Sequence, residues 1–269
     1  KGTSEGEIEE LLTYIDTVAV NEVDFSFDVY PYVPSSTMLQ YLLPYEIWHE
    51  GPLAAWARLR DRQLRDRFAR NLIYERLDKI RIAWLPSETN KKHIGETLAA
   101  FVTAAEKPPA DALADLLIEE NMAVLLVFEL GDDALVHPFL AHEKYMMGSD
   151  GIYQPEGVVH PRQFGSAARL LGPCVRNHKL FSLEQAVRKL SGFPAERHGL
   201  TGRGTLAAGN FADVVLFGET AVSDTATYDN PQQLAKGVDT VIVNGMPIVQ
   251  GGEPVTNLEK MPGQYLRAP

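Results

Sequence analysis

Apolar residues recur at helical spacing from Ile8 through Leu11, Leu12 and Ile15 to Val18, then alternate strictly at Val23, Phe25, Phe27 and Val29. The change of period predicts a helix followed by a strand over residues 23–32. Two prolines in Tyr30-Pro31-Tyr32-Val33-Pro34-Ser35-Ser36 remove backbone donors and hold the residues before them extended, so a shaped loop follows that strand. From Leu53 to Ile80 the positions Trp56, Leu59, Leu64, Phe68 and Leu72 mark a helical excursion crowded with Arg58, Arg60, Arg62, Arg65, Arg67 and Arg70. Asp61, Asp66 and Glu75 are interleaved with these arginines, which favours a salt-bridged, solvated surface over a basic binding face. Ile80 to Leu85 reads as a short strand and Ala110 to Glu120 as a helix. The stretch Ala123 to Leu130, apolar save for Glu129, reads as a strand buried on both faces, the kind that favours a parallel sheet.

Another short stretch, Lys144-Tyr145-Met146-Met147, apolar after its first residue, leads into Gly148-Ser149-Asp150-Gly151, which places an acid in a tight turn at a strand's end. Ser182-Leu183-Glu184-Gln185 is a capping-box start for a helix through Leu190 that Gly192 is positioned to end. Beyond Leu200 the pattern turns to short strands, notably Ala212 to Phe217, then Val241-Ile242-Val243 and Ile248-Val249 about the hairpin signal Asn244-Gly245. The predicted class is α/β: residues 1–200 as the later part of a (β/α)8 TIM barrel with a helical insertion at 42–80, and residues 201–269 as a portion of a small β-sandwich domain. Three or so parallel strands cannot close an eight-stranded barrel. Lys1 therefore reads as an internal point of a longer polypeptide.

Composition narrows the partners. The 269 residues are 45% hydrophobic, and 25 Lys and Arg against 36 Asp and Glu give a formal net charge of −11. Nucleic acid and anionic membranes would on average be repelled. No apolar run approaches the length of a membrane span, and Lys1-Gly2-Thr3-Ser4-Glu5 is not a secretory signal, so a soluble cytoplasmic chain is expected. The single cysteine, Cys174, excludes an internal disulfide and reads as ordinary packing.

Among candidate groups, Asp150 in its glycine-flanked turn reads locally as a turn cap, and Arg162 as a surface ion-pair partner. Ser149 does not meet the Gly-x-Ser-x-Gly elbow pattern, and Gly202-Arg203-Gly204 precedes a strand rather than the helix a phosphate loop requires. His49, His93, His137, His142, His160, His178 and His198 form no His-x-His pair; His142 and His160 read as hydrogen-bonded structural residues.

In combination, however, Asp28-Val29-Tyr30-Pro31-Tyr32, Gly148-Ser149-Asp150-Gly151, His160-Pro161-Arg162 and Arg203-Gly204-Thr205-Leu206-Ala207-Ala208-Gly209-Asn210-Phe211-Ala212-Asp213 resemble the C-terminal part of the D-aminoacylase (N-acyl-D-amino-acid deacylase) family of the amidohydrolase superfamily. The resemblance extends to Pro262-Gly263-Gln264-Tyr265-Leu266-Arg267. It implies a zinc-dependent hydrolase that cleaves the amide of an N-acyl-D-amino acid, a small-molecule substrate, with the principal zinc ligands upstream of Lys1. Amide hydrolysis needs a metal to acidify water and a base to shuttle its proton. Asp150 is the implied shuttle, and contact between it and the metal stays open. Arg162 is implied to contact a substrate carboxylate, either the α-carboxylate or an acidic side chain. Tyr30 and Ser36 are implied hydroxyl donors. The insertion at 42–80 is expected over the barrel mouth as a lid or selectivity segment, and the missing N-terminal portion or a second copy of the chain as a partner. A dihydropyrimidinase-like or dipeptidase-like amidohydrolase, or an inactive fragment, is the alternative.

Overall fold

The computed structural model describes residues 4–266 except Ile73, with backbone only at Tyr74 and Glu75. The expectations attached to Lys1, to the Glu75 side chain and to Arg267 lie outside the described residues. Among the described residues nine strands follow one another: β1 (Phe27–Val29), β2 (Ser36–Met38), β3 (Ile80–Trp84), β4 (Leu125–Phe128), β5 (Tyr145–Met147), β6 (Val214–Phe217), β7 (Val238–Val243), β8 (Met246–Gln250) and β9 (Glu253–Pro254). They divide between two compact units. The first runs to Val33, resumes over Asp133–Gly151 and continues from Pro161; the second comprises Pro34–Asp132 and Ile152–His160.

In the first unit β1 and β5 pair in parallel, Phe27 opposite Tyr145 and Val29 opposite Met147. Those four side chains face one side, where Phe27, Val29 and Met147 pack around buried Val136, Leu140, Tyr145, Leu170 and Cys174. Asp28 and Met146 consequently face the other side. The ladder is shorter than the alternation at Val23 to Val29 predicts. β5 offers only three residues to pair, and Val23, left outside the ladder, is exposed.

The opening helix forms as expected, with Ser4 capping Glu5–Tyr14 and a π-helical turn at Ile15–Ala19. Ser182 and Gln185 complete the capping box of the Leu183–Val187 helix. Gly192 does not end it. The chain stays helical through a π turn at Arg188–Gly192 and on through Phe193–Arg197. The terminator is Gly199, whose φ of 64° supplies the left-handed residue, while the Leu200 N–H closes back on the Ala195 carbonyl at 2.8 Å. A glycine can sit inside a helix at modest cost; it is the left-handed position that favours one. β6, β7, β8 and β9 then form one antiparallel sheet, and the β7–β8 hairpin turns on Asn244 (φ 48°) and Gly245 (φ 82°), as the Asn-Gly signal predicts.

In the second unit the sheet order is β2-β4-β3, and both pairings are antiparallel. The expectation of a parallel sheet from the stretch at Ala123 to Leu130 is thus corrected. Leu125, Leu126 and Val127 are buried in succession, so β4 is covered on both faces. A continuous apolar strand reports that coverage and not the direction of its neighbours. The arginine-rich excursion folds as helices Pro52–Arg58 and Arg62–Asn71, whose Leu64 and Phe68 join the core. Three of its arginines pair with acids, mostly from outside the excursion's own helices: Arg65 reaches Asp111 and Asp115, Arg62 reaches Asp66 and Asp111, and Arg67 reaches Glu46. Among the described residues no helix is long and apolar enough to cross a membrane.

Candidate active site

The parallel register of β1 and β5 brings two loops to the same end of the first unit. After β1 the chain runs through Tyr30-Pro31-Tyr32; after β5 it runs through Gly148-Ser149-Asp150-Gly151. Gly148 lies against the Asp28 side chain, where a Cβ would collide with the carboxylate. Asp150 is left-handed, with φ 44°, a conformation rare outside glycine but tolerated by aspartate and often found in functional turns. In that turn its Oδ2 accepts from Nη2 of Arg162 at 2.9 Å.

Arg162 opens the helix Arg162–Leu171, yet its side chain is only 1% exposed. A buried cation at a helix N-terminus opposes both the desolvation penalty and the helix dipole. Its guanidinium is held against those costs by Asp150 and by the Tyr30 ring, whose centroid lies 4.2 Å from Cζ. Burial pushes the Tyr30 hydroxyl above its ordinary range, with Arg162 pulling the other way, so at neutral pH Tyr30 stays a donor. Arg162, Tyr30 and Asp150 thus form one cluster: a cation able to take a carboxylate, a neutral hydroxyl and a carboxylate 60% exposed.

Ser36 is not part of that cluster. It lies on β2 in the second unit, and its buried hydroxyl donates to the Leu126 carbonyl at 2.8 Å. His160 also belongs to that unit, where its Nε2 meets the Pro34 carbonyl at 3.0 Å. His142 accepts the Lys144 backbone N–H at Nδ1, which leaves Nε2 to donate to Asp16 at 2.9 Å. Among the described residues no three His, Cys, Asp or Glu side chains converge as a metal site. Asp150 could lend a single oxygen, so these residues do not assemble a metal site by themselves.

A sequence profile of the amidohydrolase family matches residues 100–249, more than half of the chain. The chain belongs to the amidohydrolase family. It is 35% identical over 245 residues to a D-aminoacylase of Alcaligenes xylosoxydans xylosoxydans, covering 91% of this chain and 43% of that protein. It is 32% identical over 265 residues to an N-acyl-D-glutamate deacylase of the same organism, covering 95% of this chain and 44% of that one. Among solved structures, a crystal structure of D-aminoacylase superposes with TM-score 0.70 at 29% identity, over 93% of this chain and 44% of the other. The N-acyl-D-glutamate deacylase of Bordetella bronchiseptica, solved with zinc and a phosphonate mimic of the tetrahedral intermediate, gives TM-score 0.70 at 30% identity over 93% and 45%. This amidohydrolase-family chain therefore spans less than half the length of the relatives it matches.

Three residues beside the cluster escape a reading by motif alone. Asp28 was visible within the Asp28 to Tyr32 motif but carried no role there. Arg169 stands seven residues after Arg162 on one helix, a spacing that signals a shared face. Asp224 has no local signal; its partners Arg169 and Tyr32 lie 55 and 192 positions away.

Proposed function

We propose that this chain is the C-terminal part of a zinc-dependent N-acyl-D-amino-acid deacylase. In this reading the first unit's residues up to 200, with the parallel β1–β5 pair, form the later part of its (β/α)8 barrel, the second unit interrupts that part in the chain, and residues from 201 form a portion of a small β-sandwich domain. The observation that carries the reading is the buried Arg162 joined to an exposed, left-handed Asp150 beside two parallel strand ends. Support comes from the 32–35% identity to three deacylases, acting on N-acyl-D-amino acids by name.

An N-acyl amino acid always carries a carboxylate, and a guanidinium can bind it through parallel N–H groups in a way an ammonium cannot. Arg162 is the group for that contact, and the Tyr30 hydroxyl donates alongside it. Asp150, 60% exposed, accepts a proton from the attacking water at a carboxylate oxygen. It returns that proton to the nitrogen as the C–N bond breaks, so one carboxylate serves both steps. Zinc, when bound by ligands outside the described residues, supplies acidification of that water.

The test uses the full-length zinc-loaded protein and compares N-acyl-D-amino acids with their L-enantiomers, cyclic imides and dipeptides. Preferred hydrolysis of the acyl-D-amino acids is expected, with Asp150→Asn lowering kcat about 100-fold or more. Preference for cyclic imides or dipeptides, or an Asp150→Asn variant near the parent rate, would overturn the reading.

A further inference from the structure

Two arginines on one helix stack on two tyrosines of one turn. Arg162 lies over Tyr30, and Arg169, two helical turns later on the same face, lies over Tyr32 with its Cζ 3.8 Å from the ring centroid. The intervening turn is tight: the Tyr32 N–H bonds the Tyr30 carbonyl at 2.9 Å, and Arg169 Nη1 donates to the Pro31 carbonyl at 3.2 Å. Asp133 holds the exit of the turn, accepting the Val33 N–H at 2.8 Å and pairing with Arg169 Nη1.

The remaining member comes from far along the chain. Asp224 lies between β6 and β7, its side chain only 9% exposed. One oxygen, Oδ2, accepts both from Arg169 Nε at 2.8 Å and from the Tyr32 hydroxyl at 3.2 Å. Gly165, between the two arginines on the helix, makes this approach possible: a Cβ there would collide with the Tyr32 hydroxyl and stand 3.1 Å from Cβ of Asp224. The segment carrying Asp224 has anchors of its own. Arg176 donates to the carbonyls of Glu219 and Val222 at 2.8 and 2.7 Å, and Ser223 pairs with Lys236 in an isolated bridge. Asp224 is therefore not needed to hold its own loop; its charge is spent on Arg169 and Tyr32.

We propose that Asp224, acting with Arg169, is a positioning residue for the candidate active site: it fixes the Tyr30–Tyr32 turn so that the Tyr30 ring and hydroxyl meet Arg162 in the geometry that receives a carboxylate. The inference rests on the reading of Arg162 and Tyr30 as carboxylate contacts. Asp224 touches neither substrate nor reacting atoms. Its effect passes through a bidentate-capable guanidinium, which an amide in place of the carboxylate would hold less firmly.

The experiment uses the full-length enzyme with Asp224→Asn, Asp224→Glu and Tyr32→Phe, the last removing one hydroxyl and keeping the ring. Each variant is assayed on an N-acyl-D-amino acid and on the matching N-acyl alkylamine, which lacks the carboxylate. Asp224→Asn is expected to raise KM for the acid about tenfold with little change in kcat, and to leave kcat/KM for the alkylamine within about twofold. Asp224→Glu should recover part of the loss, and Tyr32→Phe should move KM the same way by less. An equal fall for both substrates, or no change for either, would overturn the inference while leaving the deacylase reading in place. If the parent enzyme cleaved no N-acyl amino acid, that reading would fall instead. The crystal structure of the Asp224→Asn variant would then decide the inference alone: Tyr30 still stacked on Arg162 overturns it, and a displaced Tyr30 ring supports it.

Discussion

Replacing Arg162 separates charge from geometry at the candidate site. Lysine keeps the positive charge but loses the planar fork; methionine fills similar volume and loses both. The guanidinium is 1% exposed while its partner Asp150 is 60% exposed, so water can solvate Asp150 once the arginine is gone. No stranded buried charge remains, and the folding cost reduces to lost packing on Tyr30, below about 2 kcal/mol. The cost to substrate is larger. A hydrogen bond to a charged group contributes about 1.5–3 kcal/mol, which at roughly 1.4 kcal/mol per tenfold corresponds to a KM about 10 to 100 times higher. In the full-length protein Arg162→Met should show the upper part of that range and Arg162→Lys the lower, with kcat changed less than KM. Steady-state kinetics on an N-acyl-D-amino acid measures this, and a thermal melt of each variant checks that the fold survives. A KM unchanged in both variants, with melting temperatures intact, would refute the assignment of Arg162 to the carboxylate.

Two other expectations concern buried groups. Burial lowers the Lys189 ammonium from 10.5 to about 8, although its Nζ donates to the His142 carbonyl at 2.6 Å. Between those two values the unfolded chain binds more protons than the folded one, so stability rises with pH across that window and is lost as pH falls through about 8. The swing is on the order of 3 kcal/mol; Lys189→Met should abolish it, and equal pH slopes for parent and variant in thermal melts between these limits would refute it. Burial also pushes the Cys174 thiol up to about 12, so alkylation near pH 8 should label it only after denaturation, as mass spectrometry would show. Labelling of the native protein at the denatured rate would contradict the buried placement.

What could be read in advance was local. The capping box at Ser182, the Asn244-Gly245 hairpin and the Arg62–Asp66 pair each depend on residues a few positions apart, and each stands as expected; Arg65 and Arg67 instead pair with Asp111, Asp115 and Glu46, 21 to 50 positions away. The turn bearing Asp150 was legible because glycines bracket it, but its bond to Arg162 required the fold. Direction was not legible in β4, because burial on both faces erases the alternation that would mark a half-covered strand. Nor was the helix end at Gly199, since Gly192 offered an earlier glycine and only φ distinguishes the two. The Arg169, Asp133 and Asp224 network was out of reach for a simpler reason: its members meet only in three dimensions.

The hydrogen bond from Val33 to Asp133 has a kinetic consequence. The chain leaves the first unit at Val33 and returns at Asp133, and this bond joins exit to return at 2.8 Å. β1 cannot pair with β5 until that excursion is closed, because Val29 and Tyr145 stand 116 positions apart. Closing a flexible loop of that length costs about 4 kcal/mol of chain entropy. The enclosed segment has its own apolar core and three-stranded sheet, so its collapse shortens the effective tether first. Folding is then expected to proceed from the excursion inward, with the parallel pair that carries Tyr30 and Asp150 among the last contacts to form.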